Sequence, residues 1–330
     1  MSVVLTKSRC INALKCYASY ALDRLGSVLC IDKPSHIPHL PMFVSVEPSS
    51  ICQLRCPECP VGMRENRQRV NGMMSSEVWE RVLYEAAPYA HTIQFYFQGE
   101  PLLNARLPHM IAQAHEAGLY TIVSTNAQAL TEDLADQIVV SGLDRIIVSM
   151  DGLTEDSYGA YRVGGSLEKC QQALFFLRSA KEKYGKSQAR CQIELQCLRL
   201  KTNEHEWDRF RKEYKKLGAD RLVFKTAQLY HYADGHPLMP SDKRYSRYVK
   251  GEDGHYHRKK MGKGCFRVWS GVVVTTTGEI LPCCYDKAHA YAYGNIMDTP
   301  LNELFRNDKA MQFRREAMQE KPKICQECWR

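Results

Sequence analysis

The stretch Cys52-Gln-Leu-Arg-Cys56-Pro-Glu-Cys59 places three thiols within eight residues, directly after an apolar run, with no fourth partner beside them. A closed metal site takes four protein ligands, so three thiolates suit a cluster that keeps one metal position open to a small molecule. The working reading is an iron–sulfur cluster on Cys52, Cys56 and Cys59. The rest of the chain has to supply what such a cluster needs.

At 330 residues the chain has room for a main domain and a smaller one. A hydrophobic content of 44% with 25% charged residues allows a sizeable buried core. The net charge of +8 is modest and spread along the chain, which fits an anionic cofactor or substrate and argues against nucleic acid. Fourteen cysteines invite disulfides, but no secretory signal supports an oxidising compartment. Asn12, Lys15, Asp23 and Arg24 interrupt the apolar residues near the start, so neither a signal-peptide core nor a transmembrane segment forms. Clustered thiols in a cytoplasmic setting read as metal ligands.

Residues 10–31 carry Leu14, Ala18, Leu22, Leu25 and Leu29 at helical spacing, predicting a helix packed on the main domain. A membrane-surface helix is the alternative, disfavoured because the polar face is not strongly cationic. With the proline-rich linker Asp32–Pro41 this makes an N-terminal segment of residues 1–41. From residue 42 onward, short apolar or β-branched runs recur at Met42–Glu47, Thr92–Phe97, Leu119–Ser124, Arg145–Met150, Gln192–Leu198 and Arg221–Lys225. Helical stretches lie between them. Thr131 caps one that stops before Gly142, Asn203 with Glu206 resembles a capping box ahead of Gly218, and Gly118 and Gly185 end two more. Alternation of this kind predicts an α/β fold with a parallel sheet and right-handed crossovers, and six units predict a barrel or part of one over residues 42–226. Residues 230–264 read as a loop-rich connection. The run Val272–Thr276, the turn Thr277-Gly278-Glu279 and Ile280-Leu281 read as a hairpin, and a helix covers about Leu301 to Met318. Residues 227–330 form the second domain.

In parallel α/β barrels the loops at the C-terminal ends of strands build the active site. The Cys52–Cys59 loop follows the first run, Gln98-Gly99-Glu100-Pro101 the second, and Ser124-Thr125-Asn126 ends the third. Ser149-Met150-Asp151-Gly152 ends the fourth, Gln196 lies late in the fifth, and Lys225 closes the sixth. Taken singly these are turns and helix caps; together they converge on one rim.

Cys52-x3-Cys56-x2-Cys59 followed by these motifs resembles the radical S-adenosylmethionine (SAM) enzymes. The resemblance implies a partial (β/α)6 barrel, a [4Fe–4S] cluster whose open iron binds S-adenosyl-L-methionine, and hydrogen-atom abstraction from a substrate. It places Gly99, Glu100 and Pro101 near the cofactor's amino group, Ser149 near the ribose, and Arg162 at its carboxylate, with Ser124, Asn126 and Gln196 as further cofactor contacts. The residue before the third cysteine is usually aromatic in that family and contacts adenine; here it is Glu58.

Cys265, Cys283, Cys325 and Cys328 make a second set of four thiols, the composition of a closed site for zinc or for a cluster. Their order resembles the SPASM and shorter twitch extensions of the same enzymes, which implies one auxiliary [4Fe–4S] cluster. The Gly278-x4-Cys283 spacing selects Cys283 over Cys284 as ligand. Cys284 then occupies the position of a proton-accepting aspartate in sulfatase-maturating members, making Cys284 and Asp286 candidate catalytic residues, against buried-thiol and turn roles. Cys10, Cys16, Cys30, Cys170, Cys191 and Cys197 read as core. Arg64, Arg67 and Arg69, and the run His257-Arg258-Lys259-Lys260, adjoin cluster ligands and are candidate sites for an anionic substrate or a flavodoxin- or ferredoxin-type reductant. The expected activity is an oxidoreductase reaction, dehydrogenation of an alcohol or carbohydrate-like molecule with the auxiliary cluster accepting the electron, since no separate peptide-recognition domain is visible. The alternatives are a maturase that modifies a peptide or protein side chain, and a non-catalytic iron–sulfur or zinc protein.

Overall fold

The computed structural model describes residues 4–29, 37–64, 72–259, 265–319 and 321–328. Six parallel strands run in chain order across one sheet: β1 (Phe43–Val46), β2 (Thr92–Phe95), β3 (Tyr120–Thr125), β4 (Arg145–Ser149), β5 (Gln192–Arg199) and β6 (Arg221–Thr226). Each starts within a residue or so of the run that predicts it. Helices Ser76–Ala86, Leu107–Glu116, Glu132–Val140, Leu167–Gln188 and Trp207–Glu213 fill the five crossovers, giving the partial (β/α)6 barrel. Their starts are chemically specified. Ser75, Thr131 and Ser166 each accept a backbone N–H from the first turn, and Thr131 is followed by Glu132 and Asp133 at the positive end of the helix dipole. Val44, Val46, Ile93, Phe95, Val123, Ile146 and Val148 are fully buried and pack the sheet against this helical layer.

Two local readings change. Gly185 lies inside the helix Leu167–Gln188 as a kink at φ 68°, rather than ending it. Asn203 and Glu206 do not form a capping box. Asn203 is buried in a 3-10 turn, Lys201–Glu206, and donates to the carbonyls of Asp151 and Leu198, while the Glu206 carboxylate accepts from Leu153 N and the Ser157 hydroxyl. Asn203 thereby ties the ends of β4 and β5 together and Glu206 anchors the segment after β4, demands that override local capping.

Beyond β6 the connection carries a small hairpin, β7 (Tyr248–Lys250) and β8 (Tyr256–Arg258), where the sequence reads as loop. The predicted second hairpin is β9 (Gly271–Val274) with β10 (Glu279–Leu281), and β11 (Gly294–Asn295) adds to it. It is not a separate layer: β9 pairs in parallel with β1, Phe43 opposite Gly271, so one nine-stranded sheet spans both domains. The predicted last helix is two, Leu301–Leu304 and Asp308–Met318, restarted by Asn307, whose side chain accepts from Ala310 N. Part of the segment read as linker is packed: Ile37, His39 and Leu40 are buried.

The N-terminal helix, Lys7–Leu29, crosses the end of the barrel where strands begin. Arg9, 2% exposed, donates to the carbonyls of Ala87, Ala117 and Gly118, which close the helices leading into β2 and β3. Asn12 bonds both N–H and C=O of Leu40 and reaches the Tyr89 carbonyl.

Candidate active site

The loops at the C-terminal ends of β1 to β5 enclose a cavity of ≈ 380 Å³. Cys52, Cys56 and Cys59 line it from the first loop, Gly99 and Glu100 from the second, and Ser124 and Asn126 from the end of β3. Ser149, Gln196 and Arg162 complete the far side. Pro101 is buried behind the rim, opening a 3-10 turn, and Lys225 is exposed outside it. One rim thus gathers nearly all the residues that the motifs single out.

The reasons are local. Gly99 sits at φ 69°, and a methyl group there would collide with the carbonyl of Ser49, so the second loop can lie this close to the first only with glycine. Glu100 is buried, and its carboxylate accepts from Leu102 N at 3.1 Å, Asn126 N at 2.8 Å and the Thr125 hydroxyl at 2.5 Å. Burial pushes its pKa up and these donors pull it back. Glu100 therefore clamps the β2 and β3 loops together. Arg162 donates to the buried Asp151 carboxylate at 2.6 Å, and Asp151 also accepts Leu198 N, which locks the guanidinium at the wall.

The thiols have donors of their own. Asn126 Nδ2 and Leu54 N both reach Cys52 Sγ at 3.4 Å, and Arg162 stands beside Cys56. Burial pushes Cys52 up to about 11 and Cys56 upward as well, with Arg162 opposing it at Cys56, so loading a metal must displace protons. Among the described residues no three Cys, His, Asp or Glu side chains close around a single-ion position. The three cysteines line one cavity together, and thiolate ligands of this kind suit an iron–sulfur cluster.

Glu58 acquires a partner 172 residues away. Its carboxylate accepts Tyr230 N at 2.6 Å and meets His236 Nε2 at 3.0 Å, fastening the cysteine loop to the segment after β6. Gln53, which donates to Asn126, and Lys287, which lines the cavity from the second domain, belong to the site without any motif to announce them.

In the second domain Cys265 directly precedes the short helix Phe266–Ser270, Cys283 follows β10, and Cys325 and Cys328 share one turn. Burial raises Cys283 well above the thiol range, and the thiols of Cys284, Cys265 and Cys325, each within electrostatic reach of it, add to the shift. Arg258 donates to the Cys328 carbonyl at 2.9 Å and holds the turn against β8. Cys284 faces Arg267, whose Nη1 lies 2.9 Å from its sulfur, in a ≈ 300 Å³ cavity also lined by Ser45 of β1 and Gln94 of β2. Asp286 is different. It is fully buried and accepts the N–H groups of Ala290 and Tyr291, which makes it the organiser of that turn. Of the cysteines read as core, Cys16, Cys170, Cys191 and Cys197 are buried, Cys10 is exposed, and Cys30 lies outside the described residues. Arg67, Arg69 and Lys260 also lie outside them; Arg64 is exposed, and His257 is held by Asp253.

The radical SAM superfamily model matches residues 46–188, and the SPASM iron–sulfur cluster-binding domain matches residues 265–329. The chain belongs to the radical SAM enzymes with a C-terminal SPASM domain. Its resident groups are accordingly S-adenosylmethionine, a [4Fe–4S] cluster on the barrel and auxiliary iron–sulfur binding in the second domain. Among curated relatives, a PqqA peptide cyclase of Rhizobium meliloti is 25% identical over 313 residues, 88% of this chain and 80% of that protein. Among solved structures, BtrN in complex with AdoMet and 2-DOIA shares the fold at 19% identity and TM-score 0.54, covering 88% of this chain and 94% of that one. Streptococcus suis SuiB bound to precursor peptide SuiA shares it at 14% identity and TM-score 0.62, covering 83% and 67%.

Proposed function

We propose that this enzyme modifies a side chain of a peptide or protein. The reading is carried by the similarity, over most of the chain, to a relative named as a peptide cyclase. A groove of ≈ 610 Å³ between the segment that follows β6 and residues 285–327 of the second domain supports it. Tyr230, Tyr232, Tyr248, Tyr285 and Tyr291 line the groove with Lys287, Arg258 and Lys323, and Pro60 and Lys287 line both it and the cofactor cavity. Tyrosines present large, rigid surfaces with a polar tip, which suits an extended chain of mixed character. The alcohol-oxidising expectation rested on the lack of a peptide-recognition domain; a groove of this kind offers recognition without one.

In this reading Cys52, Cys56 and Cys59 hold the cluster, and Gly99, Asn126, Ser149, Gln196 and Arg162 hold the cofactor, with Glu100 fixing the loops that present them. Together these groups supply, when bound, the one-electron chemistry that removes a hydrogen atom from substrate. The protein's part is positioning: walls set by the Arg162–Asp151 pair and the Glu100 clamp, and a substrate held at the Pro60–Lys287 junction. Cys265, Cys283, Cys325 and Cys328 would bind the auxiliary cluster, and Cys284 with Arg267 would face the barrel from that side.

The test is anaerobic reconstitution followed by reduction, with 5′-deoxyadenosine and product measured together. About eight irons per chain are expected from two four-iron clusters. Alanine at Cys52, Cys56 and Cys59 abolishes cleavage of the cofactor, whereas alanine at the four C-terminal cysteines leaves cleavage uncoupled from product. Short peptides encoded beside the enzyme should raise 5′-deoxyadenosine formation and change in mass. Stimulation by polyols or amino sugars and by no peptide would return the reading to alcohol oxidation.

A further inference from the structure

The N-terminal helix is inserted the opposite way round from its sequence pattern. Arg9, Asn12, Cys16, Ser19 and Asp23, a largely polar stripe at helical spacing, are the residues it buries most, with Ala13 and Tyr20 packed on the core beside them. Leu14, Leu22 and Leu25 on the opposite side are 71%, 62% and 58% exposed, and Ile11 and Ala18 complete a continuous apolar stripe in solvent. A helix that only needed to pack on the barrel would bury its leucines, because burial of each contributes on the order of 2 kcal/mol. Here the polar face is consumed by hydrogen bonds to the Ala87, Ala117, Gly118 and Leu40 carbonyls, so the orientation is fixed and the leucines are held outward.

The charges around the stripe have one sign. Lys7 lies at its N-terminal end and Lys15 along one side, and both are exposed. Asp23, the one acidic residue of Lys7–Leu29, is buried in the seam. We infer that this helix docks the enzyme on an anionic membrane surface, lying in the interface with its leucines in the acyl boundary and its cations at the lipid phosphates. Among the described residues no helix is long and apolar enough to cross a membrane, so the contact is peripheral. A second copy is a poorer occupant, because two-fold pairing of this face would set the cations of one chain against those of the other. The geometry also leaves the enzyme workable. The helix rests on segments that precede β2, β3 and β9, whereas the cluster loop and the cofactor cavity lie past the opposite, C-terminal ends of the strands. Docking therefore turns the mouth of the site away from the bilayer.

The reconstituted holoenzyme is to be floated with vesicles of phosphatidylcholine alone and with added phosphatidylglycerol. Partitioning onto the anionic vesicles should be roughly 25-fold stronger, since Lys7 and Lys15 near the surface each contribute about fivefold, and it should weaken as salt is raised. Leu14→Ser with Leu22→Ser and Leu25→Ser should abolish partitioning while iron content and cofactor cleavage stay at the wild-type level. Lys7→Glu with Lys15→Glu should remove the preference for anionic lipid while leaving the fold intact. The inference is overturned if the wild type ignores both vesicle types. It is equally overturned if light scattering shows a dimer that the triple serine variant dissociates, which would assign the stripe to a second copy.

Discussion

Replacing Glu58 with alanine should loosen the post-β6 segment in a way that can be read at one amide. The Glu58 carboxylate is almost wholly buried, with 6% of its side chain exposed, and it accepts Tyr230 N–H at 2.6 Å while touching His236 at 3.0 Å. A hydrogen bond to a charged group contributes about 1.5–3 kcal/mol net. In the alanine variant the Tyr230 N–H, half-buried between the cysteine loop and the groove, has no acceptor in place. A local cost of about 2 kcal/mol follows, a roughly 30-fold faster opening of that segment at a tenfold change per 1.4 kcal/mol. Hydrogen exchange followed by mass spectrometry on a peptide spanning 228–239 measures it, with the β3 and β4 peptides as internal controls. Glu58→Gln keeps an acceptor of about half the strength and should fall between the two. Glu58→Phe, which restores the residue type usual in the family, should exchange as fast as alanine. Because Tyr230 and Tyr232 line the groove, the alanine variant should also raise KM for substrate more than it lowers kcat. Unchanged exchange at Tyr230 in both the alanine and phenylalanine variants would refute the idea that Glu58 has exchanged an adenine contact for a fastening between domains.

Gly99→Ala should prevent cofactor binding while leaving the chain folded, because φ 69° and the Ser49 carbonyl force the second loop to move; isothermal titration with S-adenosylmethionine checks it. His39 gives a pH signature. Burial holds its pKa down at about 4 against an ordinary 6.5, so between these values the unfolded chain binds a proton that the native protein refuses. Stability is therefore fully present above pH 6.5 and falls with acidification, by about 1.4 kcal/mol at pH 5.5 from this group. His39→Gln should flatten that part of the melting profile between pH 7.5 and 5.5, and an unaltered profile would show that His39 does not carry it.

What the sequence discloses and what it hides divide along a physical line. Period and local chemistry are legible. The six strands, the Thr131 cap and the strand-end motifs depend on neighbours within a few residues, and the parallel topology then carries the motif residues to one rim. Partners chosen across the fold are not legible. Glu58 is a departure from a motif until Tyr230 and His236 arrive beside it, and Asp286 reads equally as a candidate catalytic residue or a turn residue until the N–H groups of Ala290 and Tyr291 are seen to close on it. The N-terminal helix shows the same limit most sharply. A repeat of leucines establishes that a helix is two-faced, and says nothing of which face the protein keeps for itself. That is decided by Arg9, one guanidinium satisfying the closing carbonyls of two barrel helices, a geometry that exists only after the barrel does. Hydrophobic pattern predicts burial only where water is the other choice. Where the outer face meets a bilayer, an apolar stripe with cations along its edges is as well placed outside the protein as within it.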